Sequence, residues 1–283
     1  MKQRHLLFFG SDRYGKTVLD QLRLHSDLQV THFSDLASFI KGPMVKWFNG
    51  VIPLGLSASF PYLFPPEIIT QFNGLLYNLH PSLLPQYRNV APVPYALAMG
   101  DQVTGITLQK IDAKIDHGEI VAQLKEPILP TDTTTTLLHR LFTKGAELFF
   151  KHLITPSGPG PAGPGPADTL IFTRKLTGQS GYLEWPVVLK LIHNQPITAD
   201  NTTNPLINLR LTHHPDRTHN ILPDLIRALT GYEKVWTLAP TKKGDLRISF
   251  AIPQLPATNY QILVLVPGKP RPISWSDFAK YYL

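Results

Sequence analysis

The chain contains no cysteine. Disulfides and zinc–thiolate centres are therefore excluded, and a reducing, cytoplasmic setting is the natural expectation. Charge is sparse, with 17% of residues Asp, Glu, Lys or Arg against 43% hydrophobic, which fits a packed globular protein and not a disordered one. Long apolar runs are missing too. The first five residues lead into a short run at 6–9, below the roughly 7–15 apolar residues of a signal peptide, and nothing approaches the ~18 needed to span a bilayer. No membrane partner is expected. G-x-G-x-x-G is also lacking. Gly10 and Gly15 stand alone near the start, and a dinucleotide site is not expected.

What the sequence does have is a basic balance and uneven organisation. Net charge is +7 over 283 residues, and residues 222–283 carry eight Lys/Arg against four Asp/Glu. A basic surface attracts polyanions such as RNA or acidic lipid, although charge alone selects no partner. The apolar run at 6–9, a helical pattern through Val18, Leu19, Leu22 and Leu24, and a second apolar segment at 28–33 form a β–α–β opening. This predicts a parallel sheet covered by helices, hence an α/β class. Further strands are predicted at 51–57, 74–79, 104–111 and 120–126, with helices at 65–72 and 93–99. Asp132 is a candidate cap for a helix burying Leu137, Leu138, Leu141, Phe142, Leu148 and Phe149 on one face. Residues 156–167 are almost all Pro, Gly and small, which predicts a linker or exposed loop. Leu189, Leu191 and Ile192 suggest a helix after Trp185-Pro186, residues 196–221 read as an irregular connector, and strands at 235–238, 246–252 and 261–266 predict a small β-rich module at 222–283.

The strand at 74–79 runs into Asn78-Leu79-His80-Pro81-Ser82-Leu83-Leu84-Pro85. Strand alternation sends Asn78 and His80 to one face and Leu79 to the other. The pair combines a neutral amide donor with a ring that changes charge near neutral pH, at the sheet edge where parallel sheets carry their sites. Asp116-His117-Gly118 follows between two later strands; a carboxylate beside His80 would favour its charged form and orient it. Taken alone, Asn-x-His after a strand is most often a turn with a satisfied histidine, and Asp-x-Gly is a turn. The conjunction is what shifts the balance.

That conjunction resembles the folate-dependent formyltransferases, and within them the methionyl-tRNA formyltransferase family. Arg88, Ala91-Pro92, Gly100-Asp101, Thr104-Gly105-Ile106-Thr107, Ile115 to Ile120 and Leu129 to Thr133 follow at family spacing, and Phe172 to Leu176 and Leu183-Glu184-Trp185 resemble a later segment. The resemblance implies a Rossmann-like formyltransferase domain over residues 1–195 and a basic module over 222–283 like the family's C-terminal domain. It implies 10-formyltetrahydrofolate as co-substrate, initiator methionyl-tRNA as acceptor in translation initiation, a cytoplasmic monomer and no metal. It assigns oxyanion stabilisation to Asn78, general-acid and oxyanion roles to His80, and His80 orientation with proton relay to Asp116. The backbone of Ser82, Leu83, Leu84 and Pro85 would line the folate site, and Arg88, at family spacing, is a candidate substrate contact. Lys242-Lys243-Gly244-Asp245 reads most simply as a hairpin turn, though its lysines could meet substrate phosphates. Three departures bear on this, one being that the C-terminal module looks shortened against the family's. Asn89 stands where the family has Gly, tolerable at positive φ because Asn is the next-best residue there. Residues 34–50 form a much shorter segment than the basic loop with which the family grips tRNA. A formyltransferase acting on a small amine, such as an amino-sugar nucleotide or glycinamide ribonucleotide, is the alternative, and a non-catalytic RNA- or folate-binding relative is the rival of another class. His213-His214-Pro215-Asp216 with His219 reads as a polar surface loop more readily than a metal site. Trp236, Trp275, Tyr281 and Tyr282 read as packing residues more readily than as a base-stacking platform.

Overall fold

A computed structural model describes residues 4–41, 53–154, 170–253 and 261–283. The expected Pro/Gly-rich loop at 156–167 and the segment 42–50 lie outside these residues. The chain forms two compact units, and neither is continuous in sequence. One comprises Met1–Asn89, Val103–Pro127 and Leu138–Phe172; the other comprises Val90–Gln102, Ile128–Leu137 and Thr173–Leu283.

The first unit is built on a six-stranded sheet. Its strands are β1 (Arg4–Phe9), β2 (Leu28–Phe33), β3 (Leu54–Ala58), β4 (Leu76–His80), β5 (Val103–Lys110) and β6 (Ile120–Pro127), in the order β2-β1-β3-β4-β5-β6. β2, β1, β3 and β4 are parallel; β5 and β6 are antiparallel. The α/β class with a mostly parallel, Rossmann-like sheet is the observed one. Leu6, Leu7, Phe8 and Phe9 are all fully buried, as expected where helices cover both faces of a parallel strand. Helix α1 (Arg13–Leu22) starts where Asp12 accepts the N–H groups of Tyr14 and Gly15, both at 2.9 Å. It buries Val18, Leu19 and Leu22, but Leu24, expected on the same face, lies beyond its end and is exposed. After α2 (Leu36–Lys41) and α3 (Pro66–Gln71), Phe39, Phe64 and Phe72 close around Phe9 and Phe33 in an aromatic core. Phe9 meets Phe39 edge-on with ring centres 5.1 Å apart.

Helix α5 (Thr134–Ile154) continues into this unit from Leu138 onward. Leu138, Leu141, Phe142 and Phe149 are buried as the pattern predicted, while Leu148 is half-buried. Buried Glu126 in β6 accepts Arg140 Nε at 2.7 Å and Lys144 Nζ at 2.5 Å, which pins the helix to the sheet edge. At the helix start Thr133 Oγ1 accepts the N–H of Thr136, while Asp132 accepts the N–H of Leu129 at 2.7 Å and the hydroxyl of Thr136 at 3.3 Å. The carboxylate thus ties the preceding turn to the first turn of the helix.

The second unit contains α4 (Pro92–Ala98), α6 (Trp185–Ile192), α7 (Pro205–His213), α8 (Ile221–Leu229) and α9 (Trp275–Tyr282). Its four-stranded antiparallel sheet has the order β10-β9-β8-β7, with β7 (Trp236–Thr241), β8 (Gly244–Ala251), β9 (Leu263–Leu265) and β10 (Ile273–Ser274). The expected C-terminal β-rich sheet is therefore present. Helix α7 lies inside the segment read as an irregular connector. The sequence hides it because its polar residues are structural. Buried Asn204 accepts the N–H groups of Leu206 and Ile207 and donates to the carbonyls of Ser180 and Tyr182, so all four of its hydrogen-bonding positions are used. Further along α7, Arg210 is buried against Asp224, which also takes Arg227. The unit also encloses a cavity of about 350 Å³ whose lining includes Gly100, Asp101, Pro130, Arg210, Arg217 and Arg227. Trp236 packs on Tyr182 and under the Arg247 guanidinium, and Trp275 packs on Trp185. No described helix is long and apolar enough to cross a membrane.

Candidate active site

His80 is the last residue of β4, and Asn78 precedes it on the same face. Across the antiparallel pairing, Thr107 stands opposite His80 and Gln109 opposite Asn78. Directly opposed residues share a face, so these four polar side chains form one patch. The loop from Ile111 to Glu119 folds back over it. Its return is tight: a Cβ on Gly118 would lie 1.8 Å from the Lys110 carbonyl oxygen, so only glycine fits. Asp116 adopts φ +54°, a left-handed conformation that costs a non-glycine residue about 1–3 kcal/mol unless its surroundings hold it there.

The surroundings do so through hydrogen bonds to Asp116. Oδ2 accepts the N–H of Asn89 at 2.9 Å, Oδ1 accepts Gln109 Nε2 at 2.8 Å, and the main-chain carbonyl accepts Arg88 Nε at 2.9 Å. Oδ1 also faces His80 Nδ1 at 3.4 Å, with both side chains less than a tenth exposed. His80 Nε2 lies 2.9 Å from the Tyr87 carbonyl oxygen. Both ring nitrogens thus face acceptors, and only the protonated ring can donate to both at once.

The residues expected to line a folate site divide by burial. Ser82 and Leu84 are buried, whereas Leu83 and Pro85 are half-exposed. Ser82 Oγ donates to the Gln86 carbonyl, Thr107 Oγ1 donates to the Ser82 carbonyl and accepts the Leu84 N–H, and Gln123 Nε2 donates to the Leu84 carbonyl. The loop is therefore a rigid shelf whose own polar groups are largely satisfied. Its peptide bond from Leu84 to Pro85 is cis. Leu83 rests on Gly105, where a Cβ would come within 2.4 Å of it. Positive φ recurs at Tyr87 and at Asn89, the latter at +77°, the conformation anticipated for the Asn that replaces Gly.

Arg88, expected to meet substrate, binds the Asp116 main chain and fastens that loop. Lys242 and Lys243 are exposed in the hairpin turn between β7 and β8 of the second unit. On the opposite face of β4, Tyr77 packs edge-on against Phe149 and His152. Burial pushes the Tyr77 phenol up and the His152 ring down, so both stay neutral near pH 7. Among the described residues, no group of three or more His, Asp or Glu could hold a metal ion. Gln109, Thr107, Gln123 and Asn89 were missed as site residues by motif reading. A signal for the first two was available, since Thr107 and Gln109 alternate onto one face of an otherwise apolar strand.

Residues 53–153 match the Formyl transferase family model. This segment is thus similar to the formyl transferases. It contains Asn78, His80 and Asp116 together with the shelf and the loop described above. The methionyl-tRNA formyltransferase of Burkholderia ambifaria (strain MC40-6) is 35% identical over 130 residues, covering 45% of this chain and 40% of that protein. The methionyl-tRNA formyltransferase of Koribacter versatilis (strain Ellin345) is 48% identical over 81 residues, covering 29% of this chain and 26% of that protein. The matched stretch thus spans less than half the length of these curated relatives. In three dimensions, a methionyl-tRNA formyltransferase from Clostridium thermocellum superposes with a TM-score of 0.61 at 16% identity over 93% of this chain and 98% of its own. A 4-N formyltransferase from Francisella tularensis gives 0.58 at 18% identity over 90% and 99%. The formyl transferase fold therefore extends well beyond the part recognisable by sequence.

Proposed function

We propose that the protein transfers the formyl group of 10-formyltetrahydrofolate to the amino group of initiator methionyl-tRNA. The observation that carries this reading is the buried His80–Asp116 contact at 3.4 Å beside Asn78, inside the segment that matches the formyl transferases. Bound 10-formyltetrahydrofolate would supply an activated one-carbon unit; the chain's part is to orient it, stabilise developing negative charge and move protons. In this reading Asn78 donates an amide N–H toward the formyl oxygen, and protonated His80 turns the ring N–H that faces the Tyr87 carbonyl toward it while the other stays on Asp116. Asp116 holds the ring and takes up the proton lost by the attacking amine, directly or through a water, and that proton passes to the folate nitrogen as its bond to the formyl carbon breaks and tetrahydrofolate leaves. Leu83 and Pro85 offer apolar contact for the pterin. Support for the acceptor comes from the curated relatives named above and from the basic balance of residues 222–283, where Lys242 and Lys243 are candidates for phosphate contact.

The test is direct. The protein is incubated with 10-formyltetrahydrofolate and, separately, methionyl-tRNA, an amino-sugar nucleotide and glycinamide ribonucleotide, and tetrahydrofolate release is followed. Formylation of methionyl-tRNA is expected. Transfer only to a small amine would overturn the acceptor, and transfer to none would overturn formyl transfer itself. Binding of tRNA should weaken steeply between about 50 and 200 mM salt if phosphate contacts dominate.

A further inference from the structure

Gln109 is 2% exposed and stands directly across from Asn78 in the β4–β5 pairing. Its Nε2 donates to Asp116 Oδ1, the same oxygen that faces His80. An ionised carboxylate only accepts, so this contact fixes the amide with its NH₂ toward Asp116 and its carbonyl oxygen turned away. That oxygen, Oε1, is sealed from solvent and has no hydrogen-bond partner. A buried acceptor without a donor is unfavourable, and such groups in native proteins are rare enough to require a reason. Solvent and an incoming substrate cannot reach a sealed atom. Half-buried Asn78 can, because opposed residues on one sheet face bring their Cβ atoms to about 4.5–5.5 Å, and its amide carries two protons.

We propose that Gln109 is a positioning residue that couples Asn78 to Asp116. A rotation of the Asn78 side chain gives one of its N–H groups to Gln109 Oε1, which directs the other into the site. Gln109 Nε2 meanwhile holds Asp116 Oδ1 against His80. The two halves of the site are then set by one amide: the donor that meets the oxyanion and the carboxylate that manages the proton. The role rests on the formyl-transfer reading above, but the link between Asn78 and Gln109 does not.

Gln109→Met keeps length and removes both polar atoms. It should lower kcat about 10–100-fold while changing the KM for 10-formyltetrahydrofolate less than about twofold. Added to Asn78→Ala, it should cost less than about threefold more, because the coupled partner is already gone. Losses that multiply independently, or a kcat within about twofold of wild type, would overturn the proposal. Gln109→Glu keeps an oxygen for Asn78 but sets a second carboxylate against Asp116. It should move the kcat–pH profile to higher pH, since two close carboxylates retain a proton; an unmoved profile would also count against the role. Independently of turnover, ¹⁵N-resolved spectra of the free protein should show one Asn78 side-chain amide proton downfield of the ordinary primary-amide range, and that extra shift should be lost in Gln109→Met. If wild type transfers no formyl group, the functional reading falls, and these spectra still decide the link. If wild type is active and neither spectra nor kinetics respond, the positioning role alone falls.

Discussion

Both units bury carboxylates, and Asp224 of the second differs from Asp116 of the first in the company it keeps. In the second unit Asp224 accepts Arg210 on one oxygen at 2.7 Å and Arg227 on the other at 2.6 Å, and these guanidinium groups also donate to the carbonyls of Ala98, His219, Leu129 and Asp132. Neither guanidinium gives up its proton at any ordinary pH, so the cluster has one charge state. In the first unit Asp116 is held by a main-chain N–H, a neutral amide and a histidine ring. Arg88 donates to its main-chain carbonyl, and the ring that faces its carboxylate is an imidazole. A buried acid surrounded by arginines welds helices together, whereas a buried acid surrounded by neutral donors and one imidazole is suited to proton transfer.

The sharpest way to break this contrast is Asp224→Ala. It leaves two buried guanidinium groups without a counter-charge and should cost about 3–5 kcal/mol, read as a lowered midpoint in urea. A loss under about 1 kcal/mol would mean the cluster is not the weld described. His80→Ala should do the opposite. Formyl transfer should fall at least about 100-fold, roughly 2.7 kcal/mol of transition-state stabilisation, while the urea midpoint moves far less than for Asp224→Ala. Equal damage to stability from both would erase the distinction. Gly118→Ala tests the loop between these extremes. Its new methyl meets the Lys110 carbonyl, so about 1–3 kcal/mol of strain should appear together with a drop in kcat as Asp116 is displaced from His80. Retained kcat would show that the carboxylate does not depend on that close return.

The smallest expected effect belongs to Glu184 in the second unit, a third kind of carboxylate. Burial alone would raise it, but hydrogen bonds from the hydroxyl and N–H of Thr203 and the hydroxyl of Thr202 bring it below its usual value. A carboxyl depressed in the folded state contributes stability above its unfolded value of about 4.5, and that contribution is lost as pH falls through the lower folded value. Thr203→Val should therefore remove about 0.5–1 kcal/mol at pH 7, discounted for solvent screening, and flatten the loss of stability below about pH 4.5. A variant whose acid limb matches wild type would show that these bonds do not favour the ionised form.

Legibility in the sequence followed how local the cause was. The run at Leu6 to Phe9, the alternation around Asn78 and the apolar stripe on α5 each declare their element because burial imposes a period on neighbouring residues. Asn89 was legible as a positive-φ position because few residue types tolerate that conformation. Helix α7 was not. Its polar residues look like loop composition until Asn204 is seen bonded to Ser180 and Tyr182 and Arg210 to Asp224, partners far away in the chain.

By itself the sequence determined the α/β class, the strand that ends in Asn78 and His80, and the short motifs in which their type and spacing are encoded, since backbone periodicity and residue chemistry are properties of neighbours. Only the tertiary structure decided which segments joined which unit, that Asp116 folds back to His80 in a left-handed conformation, and that Gln109 stands between Asn78 and Asp116 with one oxygen unmet. Those facts depend on which distant donors and acceptors are brought within about 3 Å, a distance that no pattern along the chain specifies.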